Sequence, residues 1–321
     1  STLDRALVVG SFLRKDHPLF ASRLRQAAKR GAQISAIGAA NDDWLLTVAN
    51  RVTVAPSAWL QALADVAAAI AAQTGATAPV QGQATDAARA VAASLLSGDR
   101  KAILLGNAAV QHPQASGLQA LAQWIAEQTG AKLGFLTESA NTVGAQLVGA
   151  QPQNGGLNAG QMLSGNGLKA VLLLNVEPEL DAANPAAARA ALAGAEMVVA
   201  MSAFKTAAMD YADVLLPVAP FSETSGTFVN AEGRAQSFHG VVKPLGDTRP
   251  AWKVLRVLGN LLSVDGFEFE TSEEVRSRAL GDIASLGARL NNQTQAAVTF
   301  AGQTGGLERL ADVPIYSADA L

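Results

Sequence analysis

The sequence predicts a doubly wound α/β fold, and three observations carry that expectation. Short apolar runs stand apart at Arg5-Ala-Leu-Val-Val-Gly10, Lys101-Ala-Ile-Leu-Leu-Gly106 and Lys169-Ala-Val-Leu-Leu-Leu-Asn175. Each run is continuous rather than alternating, the pattern of a strand covered on both faces. Each is followed by a loop and then by a segment of helical period, so the order strand–helix–strand recurs. Right-handed crossovers make such sheets parallel.

The elements follow in order. After the first strand, residues 19–30 read as a helix with Leu19 and a Leu24/Ala27/Ala28 face apolar, and Gly31 stands in the usual stop position. Gln33-Ile-Ser-Ala-Ile-Gly38 is the next strand. The alanine-rich stretch 59–72 contains Asp65 and is too short to cross a bilayer. Residues 73–85 are small, polar and rich in Gly and Pro, which predicts a loop and a boundary there. A helix over 86–96 opens the second half. The strand 101–106, a helix over 117–128 stopped by Gly130, and a strand over 132–136 repeat the first plan.

Residues 141–167 are rich in Gly, Asn and Gln and read as a long irregular segment, which in compact domains is usually functional. The third unit has strands over 169–175 and 196–201 around a helix over 185–192, then a buried strand over 212–217. Residues 272–290 read as a helix, and 291–321 as an extended tail that closes over the domain or docks on a partner. The expected division is therefore 1–85, a first half truncated at its start, 86–270, a second half, and 271–321. His17-Pro18 after Gly10 and His112-Pro113 after Gly106 lie 95 residues apart and suggest that the halves are related.

Composition excludes several classes of function. The chain has 321 residues, 49% hydrophobic and 16% charged, as in a globular protein. A net charge of −3 leaves no electrostatic footprint for nucleic acid. With no cysteine, disulfides, thiolate zinc sites, Cys-ligated iron–sulfur clusters and a thiol nucleophile are excluded on this segment. The three histidines, His17, His112 and His239, are too few for a His-rich metal site, and no metal ligands are assigned. The first residue is Ser1, which reads as a piece cut from a longer polypeptide.

Ligands of open α/β sheets sit beyond the carboxyl ends of the strands. Three loops lie there: 10–18 with Gly10 and Ser11, 106–113 with Gly106 and Asn107, and 175–179 with Asn175 and Glu177. None has the G-x-G-x-x-G or Walker A spacing. By residue type they read first as plain βα connections; phosphate binding at backbone amides is the alternative. His17 and His112 each precede a proline and read as packing or capping residues. Glu223, Asn230, Glu232 and Arg234 are close enough in sequence either to bind a polar ligand or to pin one loop by satisfying one another.

The stretch Tyr211-Ala-Asp-Val-Leu-Leu-Pro217 followed by Glu223-x-x-Gly-Thr-Phe-x-Asn-x-Glu-Gly-Arg-x-Gln236 resembles the molybdopterin oxidoreductase superfamily. Gly10-Ser11, His17-Pro18, Arg23-Leu-Arg25 and Gly31-Ala32 are similar to that superfamily's first strand–loop–helix, and 169–179 to its later strand–turn. The matches run from about residue 5 to residue 265. The first loop reads Ser11-Phe-Leu-Arg14, without the Asn-Pro usual where the pterin dinucleotide lies. That loop and the run 221–234 most resemble the large iron–sulfur subunit of bacterial respiratory NADH:quinone oxidoreductase, complex I.

That resemblance implies two Rossmann-like, doubly wound halves and no resident cofactor. Gly10, Ser11, Gly106, Asn107, Asn175, Glu177, Asn230 and Arg234 would be remnants of a pterin site. Iron–sulfur clusters would sit on an N-terminal part of the parent. This segment would be non-catalytic and would scaffold the peripheral arm against other subunits, on the cytoplasmic face of the inner membrane. Its parent complex would pass electrons from NADH to quinone, coupled to proton translocation. The alternatives are a piece of an active molybdenum or tungsten oxidoreductase resembling formate dehydrogenase, and a free-standing nucleotide-binding protein.

Overall fold

A computed structural model describes residues 2–165, 167–300, 306–308 and 310. The strands are β1 (Arg5–Val9), β2 (Gln33–Gly38), β3 (Asn50–Thr53), β4 (Lys101–Leu105), β5 (Lys132–Phe135), β6 (Ala170–Leu174), β7 (Met197–Ser202), β8 (Val214–Pro217), β9 (Gly226–Val229) and β10 (Ala235–Phe238). The fold is α/β with parallel sheets, as the apolar runs predict. The chain forms two compact units, one of Ser1–Ala140 with Leu290–Leu321 and one of Asn141–Arg289.

The first unit is built on a five-stranded sheet of order β3-β2-β1-β4-β5, parallel throughout. The alternation of β1 explains its two layers. Leu7 and Val9 face the helices Trp59–Thr74, Asp86–Leu96 and Ala115–Thr129, in a core with Leu63, Val91, Leu118 and Ile125. Ala6 and Val8 face the other way, against Leu24 of the helix Pro18–Lys29, Leu13 and Trp44. All four β1 residues are at most 1% exposed.

This sheet moves the expected boundary. The division between residues 85 and 86 falls inside one sheet, because β4 pairs with β1 rather than opening a new one. The two His-Pro units are flanks of a single sheet. The chain divides at 140/141 instead, and the described residues after Arg289 belong with the first unit. β3 was not anticipated, since Asn50-Arg-Val-Thr53 is polar at three of its four positions and lies at the sheet edge.

The second unit holds a separate parallel sheet, β6-β7-β8, and an antiparallel hairpin, β9–β10. The expected loop after residue 217 is this hairpin. The helix Pro185–Ala193 buries Ala188 and Leu192. Neither β6 nor β8 is the fully covered strand its apolar run predicts. By register, Leu172 and Leu174 of β6, Met197 of β7 and Val214 of β8 share one face. They are 44%, 37%, 48% and 39% exposed.

Residues 141–167 are not wholly irregular: short helices occupy Thr142–Leu147 and Ala159–Leu163, the latter with an Asn158–Gln161 capping box. The helix expected over 272–290 ends at Leu280. Gly281 follows with φ +68, and a short turn and a one-turn helix complete the segment. Residues 301–305, 309 and 311–321 of the expected tail lie outside the described residues. Among the described residues, no helix is long and apolar enough to cross a membrane.

The close approach of β1 and β4 at their carboxyl ends depends on two glycines. A Cβ on Gly106 would lie 2.3 Å from Ser11 Cβ and 2.6 Å from Gly10 O. One on Gly10, at φ +62, would lie 2.7 Å from Ala109 N and 2.8 Å from Trp59 Cζ3. Gly106→Ala is expected to lower the unfolding free energy by about 1–3 kcal/mol through overpacking. Gly10→Ala, which adds left-handed strain, should cost more. Urea denaturation followed by far-UV circular dichroism checks both; a wild-type midpoint for either would contradict the close approach.

Candidate functional site

In the first unit the chain leaves β1 toward β2 and β3, then returns to the other side of β1 with β4 and β5. The strand order therefore reverses between β1 and β4. A crevice opens at their carboxyl ends, where ligands of this fold class sit. Gly10, Ser11 and Asn107 line it, with Gly106 immediately beside them. Gly106 N donates to Val9 O at 2.8 Å, and Ala108 N to Gly10 O at 3.0 Å, so the two loops are tied together by backbone. These four predicted residues are thus brought to one place.

The first loop closes on itself. Asp16, 7% exposed, accepts from Ser11 Oγ at 3.0 Å and from Phe12 N at 2.9 Å. Those groups are thereby engaged by a carboxylate from their own loop rather than presented to an anion. Gln111 donates to the Glu138 carboxylate. Arg51 donates to Asp42 O at 3.3 Å and lies 5.2 Å from the centroid of the Trp44 ring, a cation–π arrangement. Trp44 Nε1 and Asn107 Oδ1 are buried with no hydrogen-bond partner among the described residues.

The lining decides what the crevice can hold. Its lining residues include the acidic Asp16, Asp42 and Glu138 and one cationic residue, Arg51. Its volume is ≈ 60 Å³, against roughly 300–1,000 Å³ for pockets that enclose a drug-sized ligand. Leu310, from the C-terminal segment, also lines it. A pterin dinucleotide brings a pyrophosphate, which needs amides and cations turned toward it. Carboxylates outnumbering the guanidinium, with the Ser11 hydroxyl and Phe12 amide already taken, do not fit that group. No chemical step is assigned through it.

Sequence reasoning missed Asp16, Asp42, Trp44, Arg51 and Glu138. Asp16 carried a weak signal, a short acidic residue a few positions after a loop serine. The others lie in stretches without periodicity and meet only through the strand order. Among the described residues, no group of three or more His, Cys, Asp or Glu is placed to hold a metal ion.

The histidines pack. His17 Nε2 lies 2.8 Å from Thr137 O, linking the loop after β1 to the segment after β5. His112 Nδ1 accepts from Gln114 N at 3.0 Å, so its Nε2 carries the proton and donates to Pro56 O at 3.0 Å. Its ring lies 5.8 Å from that of Trp59. Burial holds its pKa below the ordinary histidine value, against the raising effects of Pro56 O and Glu308. His239 is exposed, 3.8 Å from the Glu273 carboxylate.

The remaining candidates lie in the second unit. Asn175 ends β6 at φ +49, with its N–H donating to Met201 O at 2.8 Å. Glu177 N donates to Asp181 Oδ2 at 2.7 Å, closing a turn. Asn230 opens the β9–β10 turn, where its Oδ1 accepts from Glu232 N at 3.0 Å and Arg234 N at 2.9 Å. Glu223 Oε2 accepts from Leu245 N at 3.0 Å. The loop is therefore pinned, but by side chain to backbone. Arg234 is exposed and makes no ion pair among the described residues, with Glu223 and Glu232 included.

Comparison with known proteins agrees with the strand order. The family model for molybdopterin oxidoreductases matches residues 4–261. A protein of Staphylococcus aureus strain MRSA252 named "Putative formate dehydrogenase" is 42% identical over 77 residues, 24% of this chain and 8% of that protein. The protein of the same name from strain USA300 is 39% identical over 77 residues, with the same shares. Acetylene hydratase from Pelobacter acetylenicus superposes with a TM-score of 0.66 at 13% identity, over 86% of this chain and 50% of that chain. The chain thus spans half of that structure and matches a small fraction of those relatives.

The turn geometry separates Asn230 from Arg234. Asn230→Ala removes the acceptor for two backbone amides and is expected to cost about 1–2 kcal/mol. Arg234→Ala, an exposed side chain without an ion pair, should stay within about 0.5 kcal/mol of wild type. Thermal unfolding of the two variants checks the difference, and equal losses would contradict it. A pH effect follows from His112. Its pKa is lower in the folded chain, so the unfolded chain binds the proton first as pH falls. Its contribution to stability is complete above about pH 6.5 and is lost as pH drops toward the folded value. Melts over about pH 7.5 to about pH 5 should show a shallower pH slope for His112→Gln than for wild type.

Proposed function

As the chain belongs to the molybdopterin oxidoreductase family, we propose that it is a non-catalytic, structural member of it. On this reading it forms part of the large iron–sulfur subunit of respiratory NADH:quinone oxidoreductase and scaffolds the peripheral arm on the cytoplasmic face of the membrane. The supporting observation is the lining of the β1/β4 crevice. There Asp16, Asp42 and Glu138 stand where a pyrophosphate would need cations. Gly10-Ser-Phe-Leu-Arg14 supports the same reading, since the loop lacks the Asn-Pro of the cofactor-binding members. On this reading any iron–sulfur clusters of such a subunit would sit on another part of the polypeptide, since this sequence has no cysteine.

The exposed apolar face of the second unit's sheet is also in keeping with an assembly role. Parallel sheets are ordinarily covered on both faces, and contiguous apolar surface marks contact with a partner.

A second reading, a piece of a molybdenum or tungsten oxidoreductase, is favoured by the names of the relatives, which are 39–42% identical over 77 residues. Metal analysis of the native full-length protein separates the two. Iron without molybdenum or tungsten is the expected result. About one molybdenum or tungsten per chain would overturn the structural reading. Calorimetric titration of this chain with GDP is expected to show no saturable binding, because the crevice presents carboxylates to the phosphates; saturable binding would return the strand-end loops to a nucleotide role.

A further inference from the structure

The helix Ala251–Leu261 belongs to the second unit and carries one apolar stripe. Val254, Val257, Leu258 and Leu261 recur at the i, i+3, i+4, i+7 spacing of a helix face that packs against something. Within the helix only Gly259 is buried; Val257 is 47% and Leu261 77% exposed. With Leu216, Trp252 and Phe269 the stripe lines a groove of ≈ 540 Å³, far larger than the voids of a packed interior. Leu216 lies two positions after Val214 on β8, and by register on the sheet face of Leu172 and Leu174. The groove is therefore continuous with the exposed face of that sheet. Parallel sheets are ordinarily covered by helices on both faces. Here the helix Ala251–Leu261 stands beside Leu216 and leaves Leu172, Leu174 and Val214 exposed.

The groove is also cationic. Its lining residues include Arg249, Lys253 and Arg256 and one acidic residue, Glu270. Arg256 Nη2 pairs with Glu270 at 3.0 Å, while Arg256 Nε is buried with no hydrogen-bond partner among the described residues. Lys253 Nζ lies 5.3 Å from the centroid of the Trp252 ring. Neither Lys253 nor Arg249 makes an ion pair among the described residues. Both stand at the start of the helix, Arg249 directly before the N-cap Pro250 and Lys253 in the first turn. That turn has no acidic residue and no side-chain cap. A helix start is the positive end of the helix dipole and favours carboxylates. Cations stand there instead, so a neighbour that brings carboxylates gains from all of them at once.

We propose that this groove seats an amphipathic helix of a partner subunit. Its apolar residues, at helical spacing, lie against Leu216, Val257 and Leu261, and its carboxylates beside Arg249 and Lys253. The occupant is a helix because helices cover parallel sheets, and acidic because the groove holds two cations without an ion pair. The proposal rests on the structural reading above, in which the chain works within an assembly, and names where one neighbour attaches.

Carbodiimide coupling of the full-length protein in its purified assembly, read by peptide mass spectrometry, tests it. The reagent joins an amine to a carboxylate in direct contact. Lys253 is expected to be joined to an Asp or Glu of a different polypeptide, on a segment whose apolar residues recur at i, i+3, i+4 and i+7. Lys253→Glu and Leu261→Asp should each raise the dissociation constant of that subunit about tenfold at low ionic strength. Leu19→Asp, at an exposed position of the first unit, should leave it as in wild type. If Lys253 couples to no other polypeptide, to a second copy of its own, or to a segment without that spacing, the proposal is overturned. Wild-type affinity in either variant overturns it equally. Metal content keeps the two readings apart. Iron without molybdenum or tungsten, with coupling inside one polypeptide, leaves the structural reading standing and removes the docking helix. Molybdenum or tungsten, with coupling to a different polypeptide, does the reverse.

Discussion

Two-sided pairing of one strand organises the first unit. β1 hydrogen-bonds β2 on one side and β4 on the other, in matched register from Arg5 to Val9. Its alternate side chains reach both helical layers, so neither core exists without it. The same pairing creates the crevice, because the chain must leave the sheet in opposite directions from β1 and β4. Gly10 and Gly106 are the local requirement of that geometry, since a side chain on either would force the loops apart. The position of the site is thus a consequence of topology, set before any functional side chain is chosen.

What the crevice can bind is a separate matter, decided by charge. A strand-end crevice offers amides and a helix end, and both favour anions. Here Asp16 folds back on its own loop and takes the Ser11 hydroxyl and Phe12 amide. Asp42 and Glu138 add further negative charge, and Arg51 is engaged with Trp44 and Asp42 O. At the neighbouring helix start the anion position is filled by Glu308 of the same chain. In two places, then, a carboxylate of the protein stands where a phosphate would otherwise be favoured.

The second unit follows different energetics. In its three-stranded sheet Leu172, Leu174, Met197 and Val214 share one face and are exposed. Asn230 and Glu223 spend their acceptors on backbone amides, so the most distinctive sequence motif of the chain is largely a device for holding a hairpin and its neighbouring loop. Arg234, in the same motif, is left in solvent. Backbone donors close to Asn230 and Glu223 take those acceptors, so this local pattern fixes a turn and its neighbouring loop.

The sequence by itself determined most of the parallel strands, several of the helices and the strand-end glycines, because continuous apolar runs, helical periodicity and Gly stops are local signals. The helix Asp86–Leu96 and the strand Gln33–Gly38 lie where residue pattern alone puts them. It also determined where a site could lie, at Gly10, Ser11, Gly106 and Asn107. Only the tertiary structure decided that β1 and β4 are neighbours, which moved the division of the chain from residue 85 to residue 140. It alone decided which apolar runs are covered, since β1 and β6 read alike in sequence and differ wholly in exposure. And it alone brought Asp16, Asp42, Arg51, Glu138 and Leu310 to one crevice. Side chains separated by tens or hundreds of residues acquire a common electrostatic environment only when strand order folds them together, and no local pattern records that order.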